Sequence, residues 1–249
     1  MLKHEREQEI LSALRSAGYL SVRQLSQSLY ISESTVRRVL TALEREGYIR
    51  RSYGGAELLT GHSYAPSFNA RTHQNPEAKK IIARKAAGLV SDGSIVFLDQ
   101  SSTAFYLALE LLSKRTLTVM TNNTEILSLL AQTDFTVLSS GGRLCESNRM
   151  CLVDAEAERS FRSVYADLAF FSTKSLSADG IISDCNREEI SVRNAMLHNA
   201  ARKIFLCDST KLDTRSAYLQ CTLEDVDHLI SEGIAVRKYQ TQFPKLTIL

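Results

Sequence analysis

Long hydrophobic runs are absent from this sequence. No segment approaches the roughly 18 consecutive apolar residues that a membrane-spanning helix needs. The first seven residues, MLKHERE, are strongly charged, whereas a signal peptide has an apolar stretch after a short basic start. We therefore expect a cytoplasmic protein without a membrane partner.

Cysteines and histidines are few and scattered. The five cysteines and five histidines form no C-x-x-C pair, no H-E-x-x-H motif and no cluster at the spacing of zinc ligands. A chain of 249 residues is also too large to need disulfide bonds to hold its core together. We expect free thiols, no metal site and no cofactor.

A strong excess of charge of one sign is lacking as well. The net charge of +2 is too small to establish a nucleic-acid partner by itself. Its distribution is more informative, because residues 1–57 contain nine lysines and arginines against seven acidic residues, whereas residues 58–249 contain 21 of each. The whole excess of positive charge therefore lies in the first segment.

The first segment contains the patterns of three short helices. Apolar residues at positions 10, 11 and 14 predict a first helix that ends at Gly18. Ser21, with Gln24 three residues later, forms a capping box that predicts the start of a second helix. After a turn of three residues, Ser32 is an N-cap for a third helix that ends before Gly47.

The outward face of the third helix is polar and cationic. Ser34, Arg38, Thr41 and Arg45 point away from its apolar stripe. Two helices joined by a short turn, the second carrying serine, threonine and arginine, form the arrangement that places a recognition helix in the major groove. Residues 48–55 then predict a strand, a turn and a strand, which is a wing; a solvated helical module is the alternative. The candidate DNA-binding residues are Ser32, Ser34, Thr35, Arg37, Arg38, Thr41, Arg45, Arg51 and Tyr53.

The pattern changes after the wing. Residues 58–75 are irregular and polar, and Pro66 and Pro76, two of the three prolines, lie in or beside this stretch. We therefore predict a linker at 58–75. It would join a winged helix-turn-helix DNA-binding domain at residues 1–57 to a second domain at residues 76–249.

Short apolar strands alternate with amphipathic helices throughout the second domain. Continuous apolar strands of this kind are typical of a mostly parallel sheet that helices cover on both faces. We therefore predict an α/β fold in which a small winged helix-turn-helix domain precedes a Rossmann-like α/β domain. The expected strands are 95–98, 117–120, 135–138, 168–171, 204–207 and 226–230.

Polar residues follow five of these strands at the point where each strand ends. The carboxyl ends of parallel strands share one edge of the sheet, which is where ligands bind. Ser101–Thr103 lie where a strand leads into a helix, so their hydroxyl and amide groups can hold a phosphate. The alternative is that such residues only cap helices and form turns. The candidate ligand-binding residues are Asp99, Gln100, Ser101, Ser102, Thr103, Thr121, Asn122, Gly141, Gly142, Arg143, Lys174 and Lys211.

The order of the motifs along the chain is distinctive. TVRRVL at 35–40, LEREG at 43–47 and RSYGGA at 51–56 are followed by FLD at 97–99, then by Thr121–Asn122, Gly141–Gly142 and Asp208–Lys211. This series resembles the DeoR family of bacterial transcriptional regulators, although Gln100 stands where that family often has glycine. The resemblance implies a sensor domain that is related in fold to ribose-5-phosphate isomerase and binds a phosphorylated sugar.

The same resemblance implies the partners and the role of the protein. It predicts a repressor of a carbohydrate-metabolism operon, released from its operator DNA by a phosphorylated sugar or a related small metabolite. A symmetric operator requires at least two copies of the recognition helix, so we expect a homodimer or a larger homo-oligomer. We expect the sensor domain to form the contact between the copies.

An isomerase-like enzyme that carries a DNA-binding domain is the alternative. Such an enzyme needs a positioned carboxylate base, and this chain has Phe171–Lys174 in the comparable place. Lys174 can bind an anion but cannot replace a carboxylate base at neutral pH without a large fall in its pKa. Asp184, Glu188 and Glu189 lie nearby in sequence, but carboxylates at a helix start more often cap the helix or interact with its dipole. We therefore expect a sensor without catalytic residues.

Overall fold

The computed structural model describes residues 3–45, 47–59 and 66–249, apart from the side chains at positions 3–5, 8 and 45. The chain divides into two units, Met1–Arg71 and Thr72–Leu249. Among the helices described, none is long and apolar enough to cross a membrane.

The first unit is a helix-turn-helix with a small sheet. The predicted capping box is confirmed, because Ser21 Oγ accepts from the Gln24 N–H (3.2 Å) and Gln24 Oε1 accepts from the Ser21 N–H (2.9 Å). The apolar faces of all three helices meet in one core, in which Val39 is buried. The elements are α1 (Lys3–Ala17), β1 (Tyr19–Ser21), α2 (Val22–Leu29), α3 (Glu33–Arg45), β2 (Ile49–Ser52) and β3 (Gly55–Leu58).

The structure adds a strand to the predicted wing and a helix to the predicted linker. Strand β1 pairs antiparallel with β3, which also pairs with β2. A strand of three residues is too short to show alternation, so the sequence pattern indicated only two strands. The segment 58–75 contains the end of β3 and helix α4 (Phe68–Thr72), whereas residues 60–65 lie outside the described residues. Tyr48 Oη donates to the carbonyl of Ala70 (3.1 Å), which holds α4 against the wing strand.

The second unit follows the predicted alternation of strands and helices. All six predicted strands are confirmed, with differences of a few residues at their ends. The helix that begins at Pro76 ends at Ala87, where Gly88 follows as the C-cap. The elements are α5 (Pro76–Ala87), β4 (Ile95–Leu98), α6 (Ser102–Leu111), β5 (Thr118–Thr121), α7 (Thr124–Leu130), β6 (Thr136–Ser139), β7 (Arg143–Leu144), β8 (Leu152–Val153), α8 (Ala155–Arg162), β9 (Ala166–Phe171), β10 (Ser175–Leu176), β11 (Ile181–Asp184), α9 (Arg187–His198), β12 (Ala200–Leu206), β13 (Tyr218–Thr222), β14 (His228–Ile230) and β15 (Thr247–Ile248).

The central sheet is parallel throughout. Its seven strands have the order β15-β14-β12-β9-β4-β5-β6. The chain first adds strands on one side of β4 and then crosses to the other side with β9. The order therefore reverses between β4 and β9, and the carboxyl ends of two strands at such a switch point form a crevice where ligands bind.

Helices cover both faces of this sheet. Val96 and Leu98 of β4 belong to a core cluster that includes residues of α5, α6 and α7, whereas Phe97 belongs to a cluster with α8 and α9. Successive residues of a strand point to opposite faces, so a strand buried on both sides must be apolar along its whole length. This explains the continuous apolar strands of the sequence.

Three small features of the second unit were not predicted. They are helix α8, the hairpin of β7 and β8, and an antiparallel sheet of β10, β11 and β13. The hairpin lies against the carboxyl end of β5, since the N–H of Leu152 donates to the carbonyl of Asn122 (2.8 Å). It therefore borders the edge of the sheet where the candidate ligand-binding residues lie.

Candidate functional site

The turn between α2 and α3 sets the direction of the third helix. Tyr30 adopts the left-handed conformation (φ 54°), and its N–H donates to the carbonyl of Ser26. Ser26 Oγ in turn donates to the carbonyl of Ile31 (2.6 Å). Ser32 Oγ then accepts from the N–H of Thr35 (3.3 Å), as expected of an N-cap. Ser32 and Thr35 are thereby fixed at the start of the recognition helix.

The exposed face of α3 presents an arginine. The side chain of Arg38 is exposed and makes no hydrogen bond or ion pair with any residue that the structure describes. Arg37 donates to Glu33 Oε2 one turn earlier (3.1 Å), and Ser34 Oγ lies 2.9 Å from Ser32 Oγ. Among the side chains described on this face, the guanidinium of Arg38 is therefore free to bond a group outside the protein, as an arginine that contacts a DNA base must be.

The wing continues the same surface. Arg51 Nη1 donates to Thr41 Oγ1 (3.1 Å), and the backbone N–H of Arg51 donates to Glu44 Oε1 (3.1 Å). These bonds bring two predicted DNA-binding residues, Thr41 and Arg51, together. Tyr53 is fully exposed at the tip of the wing. The side chain of Arg45, also predicted to bind DNA, lies outside the described residues.

At the other predicted site, one buried carboxylate joins the loops that follow β4 and β9. Asp99 Oδ1 accepts from the N–H of Ser101 (3.0 Å), and Asp99 Oδ2 accepts from the N–H of Ser172 (3.1 Å). Arg193 Nε donates to the same Oδ2 (3.0 Å). Asp99 therefore fixes both loops of the switch point relative to each other.

Arg193 of α9 carries a fully buried charge. It pairs with Asp184 Oδ2 (3.1 Å) as well as with Asp99, and its Nη1 donates to Gln220 Oε1 (2.8 Å). Burial opposes the charge, but the two carboxylates hold the pKa of Arg193 above its ordinary value. This residue was not among the predicted ones. Its spacing to the buried residues Ile190 and Leu197, at i, i+3, i+7 of the helix, was a signal that could have revealed it.

The start of α6 has free amide groups. Ser101 Oγ caps the helix by accepting from the N–H of Ala104 (3.0 Å). The first regular hydrogen bond runs from the N–H of Phe105 to the carbonyl of Ser101 (3.1 Å). The N–H groups of Ser102 and Thr103 precede it and point along the helix axis toward the crevice, where an anion can bind them. Ser101 is thus a cap, whereas Ser102 and Thr103 can hold a ligand.

A lysine stands at the same edge of the sheet. Lys211 Nζ donates to Ser172 Oγ (2.6 Å) and lies 3.5 Å from Asp208 Oδ2. Burial opposes the charge of Asp208, but Lys211 and, more weakly, Lys79 hold its pKa below the usual range. Lys79, a buried residue of α5, was not predicted as part of the site. Asp208 therefore stays ionised at neutral pH and keeps Lys211 beside Ser172.

Four predicted ligand-binding residues make contacts within the protein. The pair Gly141–Gly142 forms the turn that leads into the β7–β8 hairpin, and Arg143 forms an ion pair with Glu188 at the start of α9. Lys174 lies beside Cys185, whose thiol pKa is raised by burial although the ammonium opposes this change. Arg143 and Lys174 thus have protein partners in this structure.

Buried amides and a carboxylate form a further cluster next to the loop that follows β4, which leads into Ser102 and Thr103, the proposed phosphate ligands. Gln100 Nε2 donates to Glu189 Oε2 (2.9 Å), and Asn148 Nδ2 donates to Glu189 Oε1 (2.9 Å). Asn122 Nδ2 lies 3.4 Å from Gln100 Oε1, while Thr121 Oγ1 accepts from the backbone amide two residues later (3.1 Å). Gln100 and Asn122 were predicted site residues. Asn148 and Glu189 were not, because residues of a short loop and a first helical turn give no sign of burial in sequence.

Both units of the chain match known protein families. The model of the DeoR-like helix-turn-helix domain matches residues 6–61, and that of the DeoR C terminal sensor domain matches residues 74–233. The regulator GolR of Listeria innocua is 32% identical over 94% of this chain and 92% of its own. The L-fucose operon activator of Escherichia coli is 29% identical over 93% of this chain and 96% of its own.

Solved structures resemble the chain only distantly. Ribose 5-phosphate isomerase A of Methanocaldococcus jannaschii superposes with a TM-score of 0.43 at 19% identity, covering 56% of this chain and 55% of that chain. The two family models, by contrast, together cover most of the chain. The protein therefore belongs to the DeoR family of helix-turn-helix, DNA-binding transcriptional regulators.

Proposed function

We propose that this protein is a repressor of a carbohydrate-metabolism operon, and that a phosphorylated sugar bound at the β4–β9 switch point lowers its affinity for the operator. The observation that carries the proposal is the position of Lys211. Its ammonium group donates to Ser172 Oγ (2.6 Å) in the crevice. Asp99 links Ser172 to the loop that ends at the free amide groups of Ser102 and Thr103, because it accepts from the N–H groups of both Ser172 and Ser101. A cation and helix amides at one edge form a phosphate site.

One relative and one family model bear on the finer points. The name of the L-fucose operon activator supports a sugar-linked role, and the matched sensor domain supports a small-molecule effector. That relative is named an activator, so the sign of regulation here follows only from the family resemblance described above. We propose a homodimer acting in the cytoplasm on a symmetric operator.

The phosphate site is tested by removing its cation. Lys211→Ala should weaken the binding of a sugar phosphate about 10- to 150-fold, because a hydrogen bond to a charged group contributes about 1.5–3 kcal/mol. The measurement is the thermal shift caused by sugar phosphates, with the unphosphorylated sugars alongside. Lys245→Ala, the same change of charge at an exposed position, is the control. Stabilisation by the free sugars alone would contradict the proposal.

The operator interface is tested at Arg38. Arg38→Ala should weaken operator binding by about 1–3 kcal/mol, a loss of about 5- to 150-fold, if the guanidinium reads a base. Binding to a scrambled duplex should change far less, because that binding depends on phosphate contacts. Arg50→Ala is the matched control, since Arg50 is held by Glu57 (2.7 Å). Equal losses on both duplexes, in a fluorescence anisotropy titration, would show that Arg38 does not specify sequence.

Helix α6 and the segment that follows β12 also contact the chain where the second unit begins. Tyr106 Oη of α6 donates to the carbonyl of Thr72 (3.1 Å), and Asn75 Nδ2 donates to Thr210 Oγ1 beside Lys211 (3.3 Å). These contacts support linkage between effector binding and operator binding. An effector that binds two conformations with unequal affinity shifts the equilibrium between them. Tighter operator binding in the presence of the effector would make the protein an activator.

We propose a sensor without catalytic turnover. Asp99 is occupied by Arg193 and two backbone amides, and Lys211 holds the pKa of Asp208 below the usual range. A general base for sugar isomerisation works best with a pKa near neutral pH, which the environment of Asp208 does not favour. Isomerisation of ribose 5-phosphate by the purified protein would overturn this part of the proposal.

A further inference from the structure

The buried cluster beside the phosphate-binding loop ends in two unsatisfied oxygen atoms. Asn122 Oδ1 and Asn148 Oδ1 are buried and accept no hydrogen bond within the part of the chain that the structure describes. Leaving a buried acceptor unpaired costs about 1–3 kcal/mol, so such atoms are uncommon unless a ligand satisfies them. Asn122 is 1% exposed and Asn148 is 6% exposed.

The orientation of both amides follows from their neighbours. Asn148 Nδ2 faces Glu189 Oε1 (2.9 Å), and Asn122 Nδ2 faces the carbonyl of Leu152 (3.1 Å). Turning either amide over would place its oxygen against another acceptor, which is unfavourable. The two free groups are therefore acceptors and not donors.

The third acceptor of the cluster carries a negative charge. Glu189 is 7% exposed, and the oxygens that accept from Gln100 and Asn148 still have free lone pairs. Among the described residues no arginine or lysine lies within ion-pair distance of Glu189, although Arg193 is near enough for the charge of Glu189 to help raise its pKa. The charge of Glu189 also acts on whatever binds next to it, because the site is buried.

The cluster is continuous with the phosphate-binding loop. Gln100 lies between Asp99 and Ser101 in the chain, and Asn123 Nδ2 donates to the carbonyl of Gln100 (3.3 Å). A ligand held by the amides of Ser102 and Thr103 would therefore lie beside the cluster. Its two ends would meet opposite environments, donors and a cation at one end and acceptors with a negative charge at the other.

We infer that Asn122, Asn148 and Glu189 bind the hydroxyl groups of the effector and select a neutral polyhydroxylated end against a carboxylated one. Hydroxyl groups can donate to all three acceptors, whereas a carboxylate would bring a second negative charge next to buried Glu189. This inference rests on the proposed phosphate site, since it assigns the opposite end of the same ligand. It identifies the effector as an aldose, ketose or polyol phosphate, and it makes Asn148 and Glu189 specificity-determining residues.

The test compares ligands that differ only at that end. Thermal shift and calorimetry are measured with glucose 6-phosphate against 6-phosphogluconate, and with ribose 5-phosphate against 5-phosphoribonate. We expect the better sugar phosphate to bind at least about tenfold more tightly than its acid. Equal or tighter binding of the acids would overturn the inference and leave the phosphate site intact. If neither the esters nor inorganic phosphate bind, the proposed function fails, and this inference fails with it.

A substitution separates charge from shape. Glu189→Gln removes the negative charge and replaces one acceptor by a donor, so the preference for the sugar phosphate over its acid should fall at least about tenfold in this variant. Glu188→Gln is the control, because the neighbouring Glu188 is only partly buried and is paired with Arg143. An unchanged ratio in Glu189→Gln would show that Glu189 does not set specificity. The comparison of ligands on the unchanged protein decides the question if the variant fails to fold.

Discussion

Arg193→Met should lower the free energy of unfolding by about 3–5 kcal/mol, because it leaves buried carboxylates without their counter-charge. Arg193 is 1% exposed and pairs with Asp99 (3.0 Å) and Asp184 (3.1 Å). Methionine fills much of the same volume, so the loss reports mainly on the charge. Urea unfolding followed by circular dichroism measures it.

The same helix offers a control for Arg193. Arg187→Met removes an arginine that is exposed and lies over the ring of Tyr218 (4.6 Å). An exposed cation–π contact contributes about 0.5–1 kcal/mol, so this variant should remain close to the original stability. Similar losses in the two variants would refute the assignment of Arg193 as a buried structural charge. Arg193→Met should also abolish the effector's thermal shift, because Asp99 would no longer hold the two loops.

Gly142→Ala should destabilise the protein by about 2–4 kcal/mol, the sum of backbone strain and a steric clash. Gly142 has φ +92°, and a Cβ there would lie 2.4 Å from the carbonyl oxygen of Val153 and 2.9 Å from Asp154 Oδ1. Neither atom can yield easily. The carbonyl belongs to β8, and Asp154 Oδ1 caps α8 by accepting from the N–H of Glu156 (2.8 Å).

The neighbouring glycine separates the two causes. Gly141 also has a positive φ (+65°), but a Cβ there would lie 3.5 Å from Glu156 Cγ, an ordinary contact. Gly141→Ala should therefore cost only the backbone strain, about 1–2 kcal/mol. Urea midpoints of the two variants measure the difference. If Gly141→Ala were as harmful as Gly142→Ala, the clash with the β8 carbonyl would not be the cause.

Elements with a strong period were predictable from the sequence. The capping box at Ser21, the apolar stripe of α3 and the apolar strands such as β4 each follow from local spacing. The short elements were not predictable, because β1, β7 and β10 have only two or three residues. Such strands form where neighbouring strands offer unpaired backbone groups, and that condition is invisible to a local pattern.

The candidate site was predictable in part for the same reason. Polar residues after parallel strands must lie at one edge, so Asp99–Thr103 and Lys211 were found from sequence. The partners within that edge were not. Glu189 has the sequence signature of a helix-dipole residue, yet it is buried and bonded to Gln100 and Asn148.

The sequence by itself determined the kinds of elements, their order and the edge of the sheet at which the candidate ligand-binding residues lie, because periodicity and capping act over a few residues. Only the tertiary structure decided which polar side chains are satisfied within the protein, as Arg143 is by Glu188, and which keep an unused acceptor, as Asn122 and Asn148 do. Hydrogen bonding of buried groups depends on residues far apart in the chain, so it is settled when the helices and strands pack.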